Sequence, residues 1–223
     1  CGKLTFSCQK PLASILKKSF PQLEIVTEAE APDSFDFHLP LLNLGERLSL
    51  NSESQFHSEP YLNPDKRAVL PENGQPKVGL VWAGNPNHKS DGSRSIPWEQ
   101  FKTIVKIQGV DFFNLQVGPR ALDCGDELIP LQNRIADFSD TAAIINELDL
   151  VITVDTAVAH LAGALGKPTW ILIAALPDWR WMMDRSDTPW YSTAKLYRAS
   201  TETGWSATLA EVKNQLPRQL GLS

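Results

Sequence analysis

Two hydrophobic periods alternate along this chain. Nearly unbroken apolar runs, which suit strands buried on both faces, recur at 77–83, 110–116, 150–154, 169–173 and 194–197. Between them lie stretches whose apolar positions return every three or four residues, as on a helix packed along one side. One follows Pro97, with Trp98, Phe101, Ile104, Val105 and Ile107 inward. A second covers 141–148 behind Ser139 or Asp140 as cap, and a third carries Val158, Leu161, Ala162 and Leu165. The last runs over 209–216, opened by a capping box from Thr208 to Glu211. A short strand is also expected at 134–136. Strand and helix in alternation predict a parallel sheet covered by helices, an α/β fold.

The first third repeats the pattern less completely. Residues 3–7 and 24–27 read as strands around a helix that Pro11 opens, with Leu12, Ile15, Leu16 and Phe20 inward. The alternation through Phe35 and Phe37 predicts a third strand at 34–37, and 41–48 is helix-like. Residues 51–76 are polar, with Pro60, Pro64, Pro71, Pro76 and the turn pair Asn73 and Gly74, so they read as loop and linker. Two domains follow: 1–72, a partial Rossmann-like domain with its linker, and 77–223, a second Rossmann-like domain.

Composition narrows the function classes. At 223 residues, 42% apolar and 21% charged, the chain has the make-up of a soluble globular protein, and its net charge of −5 argues against nucleic acid or an anionic membrane as partner. No apolar run reaches membrane-spanning length, since Lys167 and Pro168 break the longest. Cys1, Cys8 and Cys124 show no paired spacing, so neither a disulfide framework nor a metal site is expected, and a reducing cytoplasm fits. Because the chain begins with Cys1 and a second-strand pattern, it reads as a fragment whose first domain lacks its opening strand.

The densest chemistry lies at 150–173. An apolar strand runs into Asp155 and Thr156, both able to cap a helix, and the helix ends at Gly166, a residue suited to a left-handed C-cap. A strand feeding a helix through small polar residues aims backbone N–H groups and the positive helix end above the sheet edge, where phosphates bind. The same residues also fit an ordinary βαβ unit in which Asp155 is only a cap and His160 a hydrogen-bonded core residue.

The stretch from Asp155 through Thr156, Ala157, Val158 and His160 to Pro168 resembles the signature of glycosyltransferase family 9, the heptosyltransferases. Together with 78–86, 94–97, 113–116 and 177–181, it is similar to the glycosyltransferase-like module of bacterial tetratricopeptide-repeat proteins; 35–42 resembles the end of that module's first domain. The resemblance implies a GT-B-like architecture of two Rossmann-like domains, here with the first incomplete, and metal-independent transfer of a sugar with no cofactor. It implies a nucleoside-diphosphate sugar, UDP- or ADP-linked, as partner and an acceptor of unknown identity. It also implies that Asp155, Thr156, Ala157 and Val158 form the diphosphate turn, and that Arg94 stands where the heptosyltransferases have a lysine. Ala157 replaces the family's glycine, which a right-handed helical residue tolerates. The first-domain loop carrying the family's proposed catalytic carboxylate has no counterpart here.

Transfer requires stabilisation of the diphosphate and removal of the acceptor's proton. Arg94 and Lys89, on a polar loop, are candidates for the first role, with His160 beside the turn. Asn85 and Gln116, at the ends of two strands, are candidates for lining the base or ribose pocket. His38 is the one candidate base, and Trp179, Trp181, Trp190 and Tyr191 are candidates for sugar stacking or for packing. Two rival readings use the same residues: a non-catalytic nucleotide- or protein-binding module, and a sugar-nucleotide epimerase of GT-B architecture. An exposed sheet edge in the first domain would favour a homo-oligomer or association with an upstream tetratricopeptide-repeat segment.

Overall fold

Strands form where apolar residues run together, and every strand pairing is parallel. The computed structural model describes residues 2–56, 58–64 and 66–222. At the start, β1 (Thr5–Cys8) and β2 (Glu24–Thr27) pair side by side around α1 (Ala13–Ser19), and a one-turn helix, α2 (Leu44–Arg47), follows on the surface.

The larger sheet begins at β3 (Lys77–Val81). Two one-turn helices, α3 (Asp91–Arg94) and α4 (Trp98–Phe101), lead to β4 (Asp111–Asn114) and the two-residue β5 (Ile129–Pro130). Helix α5 (Phe138–Asn146), β6 (Leu150–Val154), α6 (Ala157–Ala164) and β7 (Thr169–Ile173) follow. The chain then forms β8 (Ala194–Arg198) and α7 (Trp205–Gln219). The six strands stand in the order β5-β4-β3-β6-β7-β8. The chain thus starts in the middle, builds outward one way, then crosses back and builds outward the other way, as in doubly wound dinucleotide-binding sheets. The strand order reverses between β3 and β6.

Side-chain alternation divides the core into two layers. Val78, Leu80, Leu150, Ile152, Trp170 and Leu172 face α4 and α7, where Trp98, Phe101, Val212 and Leu216 close the cluster. Val81, Phe113 and Val151 face α5 and α6, and Ile15 of α1 is buried in that same cluster. The segment before β3 is packed too: the N–H groups of Tyr61 and Leu62 donate to the Ala164 carbonyl at 2.9 and 3.1 Å, and Phe56 lies 4.3 Å from Trp190.

Four expectations about local structure need correction. Residues 34–37 form no strand; Phe35 and Phe37 are exposed, and alternation alone supplies no neighbour for the backbone. The expected strand at 134–136 is absent because Ile129 and Pro130 take the sheet edge beside Phe113 and Asn114, while Gln132–Arg134 make a 3-10 turn. Helix α5 is capped by Asp137, whose carboxylate accepts from the N–H groups of Ser139 and Asp140, so neither of those residues is the cap. Helix α7 starts at Trp205 after Gly204 at φ 56°, and Thr208 lies inside it, donating its hydroxyl to the Arg198 carbonyl instead of capping.

Candidate functional site

Two connections meet where the strand order reverses: the loop after β3 and the turn between β6 and α6. The second carries the capped N-terminus of α6. Thr156, in extended conformation, caps α6 by accepting the Val158 N–H at 3.3 Å, and its hydroxyl lies 3.1 Å from that of Thr153. Ala157 opens the helix as an exposed residue with no positive φ, so its methyl is accommodated. Asp155 is not the cap. Its buried carboxylate turns toward Arg94, with Oδ2 3.6 Å from Nη1. At the far end Gly166, at φ 73°, closes a Schellman motif: its N–H reaches the Gly163 carbonyl and that of Lys167 the Ala162 carbonyl.

The loop after β3 is clamped at both ends, which fixes Arg94. The Ile96 N–H donates to the Trp82 carbonyl at 2.8 Å, and Ser95 Oγ accepts the Gly84 N–H at 2.9 Å. Ser95 Oγ donates in turn to Asp91 at 2.6 Å, and Arg120 Nη2 meets the other Asp91 oxygen at 2.6 Å. Burial alone would raise the Asp91 carboxyl, but hydrogen bonds from Ser95 and Arg120 outweigh it and hold the group below the ordinary carboxylate value. Arg94 ends α3, and the position a Gly84 Cβ would occupy is 2.9 Å from its Nη2. Its side chain is only 19% exposed, its contact with Asp155 is too long for a hydrogen bond, and its buried Nε has no partner among the described residues.

His160 lies one turn along α6 from Thr156. Its Nδ1 is 2.9 Å from the Tyr191 hydroxyl, and its ring stacks on the fully buried Trp181 at 5.1 Å and 17°. Burial lowers its pKa, with Asp155 partly opposing and Arg180 assisting. Trp190 donates its indole N–H to the Arg180 carbonyl, and the Trp181 carbonyl accepts from Arg198, so this part of the aromatic loop is scaffold. Trp179 is exposed.

The other candidates fare differently. Gln116 is buried and spent on the backbone: its Oε1 accepts the N–H groups of Trp82 and Ala83, and its Nε2 donates to the Ala83 carbonyl. Asn85 makes a local turn by accepting the Asn87 N–H at 3.0 Å. Lys89 is exposed and forms no ion pair among the described residues. His38, expected to end a strand facing a cleft, lies exposed on a segment without a strand, 5.6 Å from the Phe35 ring. Among the described residues no cluster of ligating side chains could hold a metal, and no helix is long and apolar enough to cross a membrane. A cavity of ≈ 240 Å³ opens beside the Asp91–Arg120 pair, lined also by Trp82, Ile96, Pro97 and Asp123; it includes no residue of the α6 turn. Sequence reading missed Asp91, Ser95 and Arg120 as the loop's brace, and Tyr191 as the partner of His160. The spacing of Asp91 and Ser95, one helical turn apart, was the one available signal.

Comparisons with known proteins give partial matches. A model described as glycosyltransferase family 9 (heptosyltransferase) matches residues 136–183, from the cap of α5 through the α6 turn and His160 to the aromatic loop. Protein FlbA of Caulobacter vibrioides (strain ATCC 19089 / CIP 103742 / CB 15) is 25% identical over 250 residues, covering 96% of this chain and 41% of FlbA. The structure of E. coli heptosyltransferase WaaC with ADP is 16% identical with a TM-score of 0.50, covering 67% of this chain and 46% of that one. A family 9 glycosyltransferase structure from Veillonella parvula DSM 2008 is 15% identical with a TM-score of 0.49, covering 67% and 47%. The chain spans less than half the length of each of these relatives. It is a parallel-sheet α/β protein whose fold is similar to that of the GT-B heptosyltransferases.

Proposed function

We propose that this chain binds the diphosphate of a nucleoside-diphosphate sugar at the turn between β6 and α6, as a heptosyltransferase-like glycosyltransferase module does. The observation that carries the reading is Arg94. A largely buried arginine side chain, with an Nε that has no partner among the described residues and one long contact, is costly unless an anion completes its hydrogen bonds. It stands beside a capped helix N-terminus at the reversal of strand order, where ligands of doubly wound sheets collect. Arg120, in the nearby cavity, is already neutralised by Asp91 and suits an anion less well. The fold's likeness to a heptosyltransferase solved with ADP makes ADP the first probe.

The test is calorimetric titration with ADP, UDP and their hexose and heptose conjugates. ADP or UDP is expected to bind, and Arg94→Ala to weaken it by about 1.5–3 kcal/mol, the range for a charge-assisted hydrogen bond. No binding, or unchanged affinity in a folded Arg94→Ala chain, overturns the reading. A binding module without turnover is the second reading. It is favoured by His38, the candidate base, which is exposed on a segment that forms no strand.

A further inference from the structure

His160 is held by two aromatic side chains, Tyr191 and Trp181, of one buried cluster. Its Nδ1 is 2.9 Å from Tyr191 Oη. Its ring face lies parallel to buried Trp181. The Tyr191 ring in turn lies so close to the α6 backbone that a Cβ at Gly163 would come within 2.3 Å of it. Tyr61, whose N–H donates to the Ala164 carbonyl, also acts on the Tyr191 hydroxyl.

The direction of the Tyr191–His160 hydrogen bond follows from chemistry. An unprotonated imidazole nitrogen is a far stronger base than a phenol oxygen, and a phenol O–H is a better donor than a neutral imidazole N–H. Tyr191 therefore donates to Nδ1, which leaves one imidazole proton, on Nε2. The ring lies one turn along α6 from Thr156, and Asp155 is the charge that acts on it most strongly.

We propose that Tyr191 is a positioning residue that locks His160 as a neutral Nε2–H donor for the diphosphate or sugar at the α6 turn. The donor role rests on the diphosphate reading above; the lock does not. A neutral donor suits this place because Arg94 already supplies the positive charge, and a buried imidazolium would add a second one at a desolvation cost. Burial keeps the ring neutral, in accord with the depressed pKa.

The experiment reads the tautomer of the full chain by long-range proton–nitrogen NMR of the histidine rings, with His160 signals identified by their loss in His160→Gln. The wild type is expected to show a pyridine-like Nδ1 and a pyrrole-like Nε2. Tyr191→Phe, which keeps the ring against Gly163, should mix the two tautomers and weaken ADP binding about three- to tenfold, the scale of one hydrogen bond. His160→Gln, whose amide nitrogen falls near the Nε2 position, should bind ADP more tightly than His160→Asn, whose amide falls near Nδ1. A pyrrole-like Nδ1 in a wild type that binds ADP overturns the lock alone. Unchanged tautomer and unchanged ADP affinity in Tyr191→Phe also overturn it. The expected tautomer in a chain that binds neither ADP nor UDP instead overturns the diphosphate reading, and the donor role with it.

Discussion

His160 and Gly163 show how tightly single residues are constrained beside the α6 turn. Burial lowers the His160 pKa below its ordinary value of 6.5, so between the folded and unfolded pKa values the unfolded chain binds more protons. The stability this contributes is fully present above about pH 6.5 and is lost as pH falls through the folded pKa. The groups whose charges act on the ring, Asp155, Arg180 and Asp178, only modulate that sign. Urea unfolding at pH 7.5 and 5.5 should therefore show the wild type losing more stability on acidification than His160→Gln; equal losses would contradict it. Gly163→Ala should cost about 1–3 kcal/mol, because the new methyl must push the Tyr191 ring off the helix. The same variant should disturb the His160 ring signals, which a void-filling change elsewhere would not. Arg94 was a candidate in the sequence because its spacing from Pro97 carried a resemblance. Tyr191 was not, because it lies 31 residues from His160 and only folding brings them together.

At the scale of elements, β6, α6 and β7 were legible because three independent signals agree there: an apolar run, a polar cap and a glycine stop. Helix α5 shows what happens when signals compete. Asp137, Ser139 and Asp140 can each cap, and only the structure shows Asp137 accepting two N–H groups while Asp140 reaches back to the N–H groups of Ala136 and Asp137. Asp137→Ala should therefore destabilise the chain by about 1 kcal/mol, within a range of roughly 0.5–2, with the denaturant slope unchanged. Ser139→Ala, with its hydroxyl buried and without a partner among the described residues, should cost less than Asp137→Ala. The reverse order, measured by urea unfolding, would return the cap to Ser139. The expected strand at 34–37 failed for a different reason. Alternating Phe35 and Phe37 is a sheet pattern only where a neighbouring strand satisfies the backbone, and sequence period says nothing about neighbours.

At the scale of the molecule, parallel pairing followed from the alternation of elements, but the reversal of strand order between β3 and β6 could not be read from it. That reversal brings a loop at 84–95 to a turn at 155–158, and it is why residues about 60 positions apart share one candidate site. The opposite extreme is the segment 35–50, where eight large apolar side chains, from Phe35 to Leu50, are exposed. In the larger sheet, apolar side chains enter one of the core clusters; Phe37 and Leu42, 95% and 85% exposed, enter none among the described residues. Their hydrophobicity is therefore not recovered in the fold. The double variant Phe37→Ser and Leu42→Ser should leave unfolding free energy within about 0.5 kcal/mol of wild type, as expected for surface positions away from packed features. It should reduce binding of an environment-sensitive apolar dye, because the dye reads exposed apolar area. It should leave ADP affinity unchanged, since neither residue lies near Arg94 or Thr156 in the packing described above. A loss of 2 kcal/mol or more, on the order of burying a leucine or phenylalanine side chain, would show that this segment folds back onto the sheet in solution.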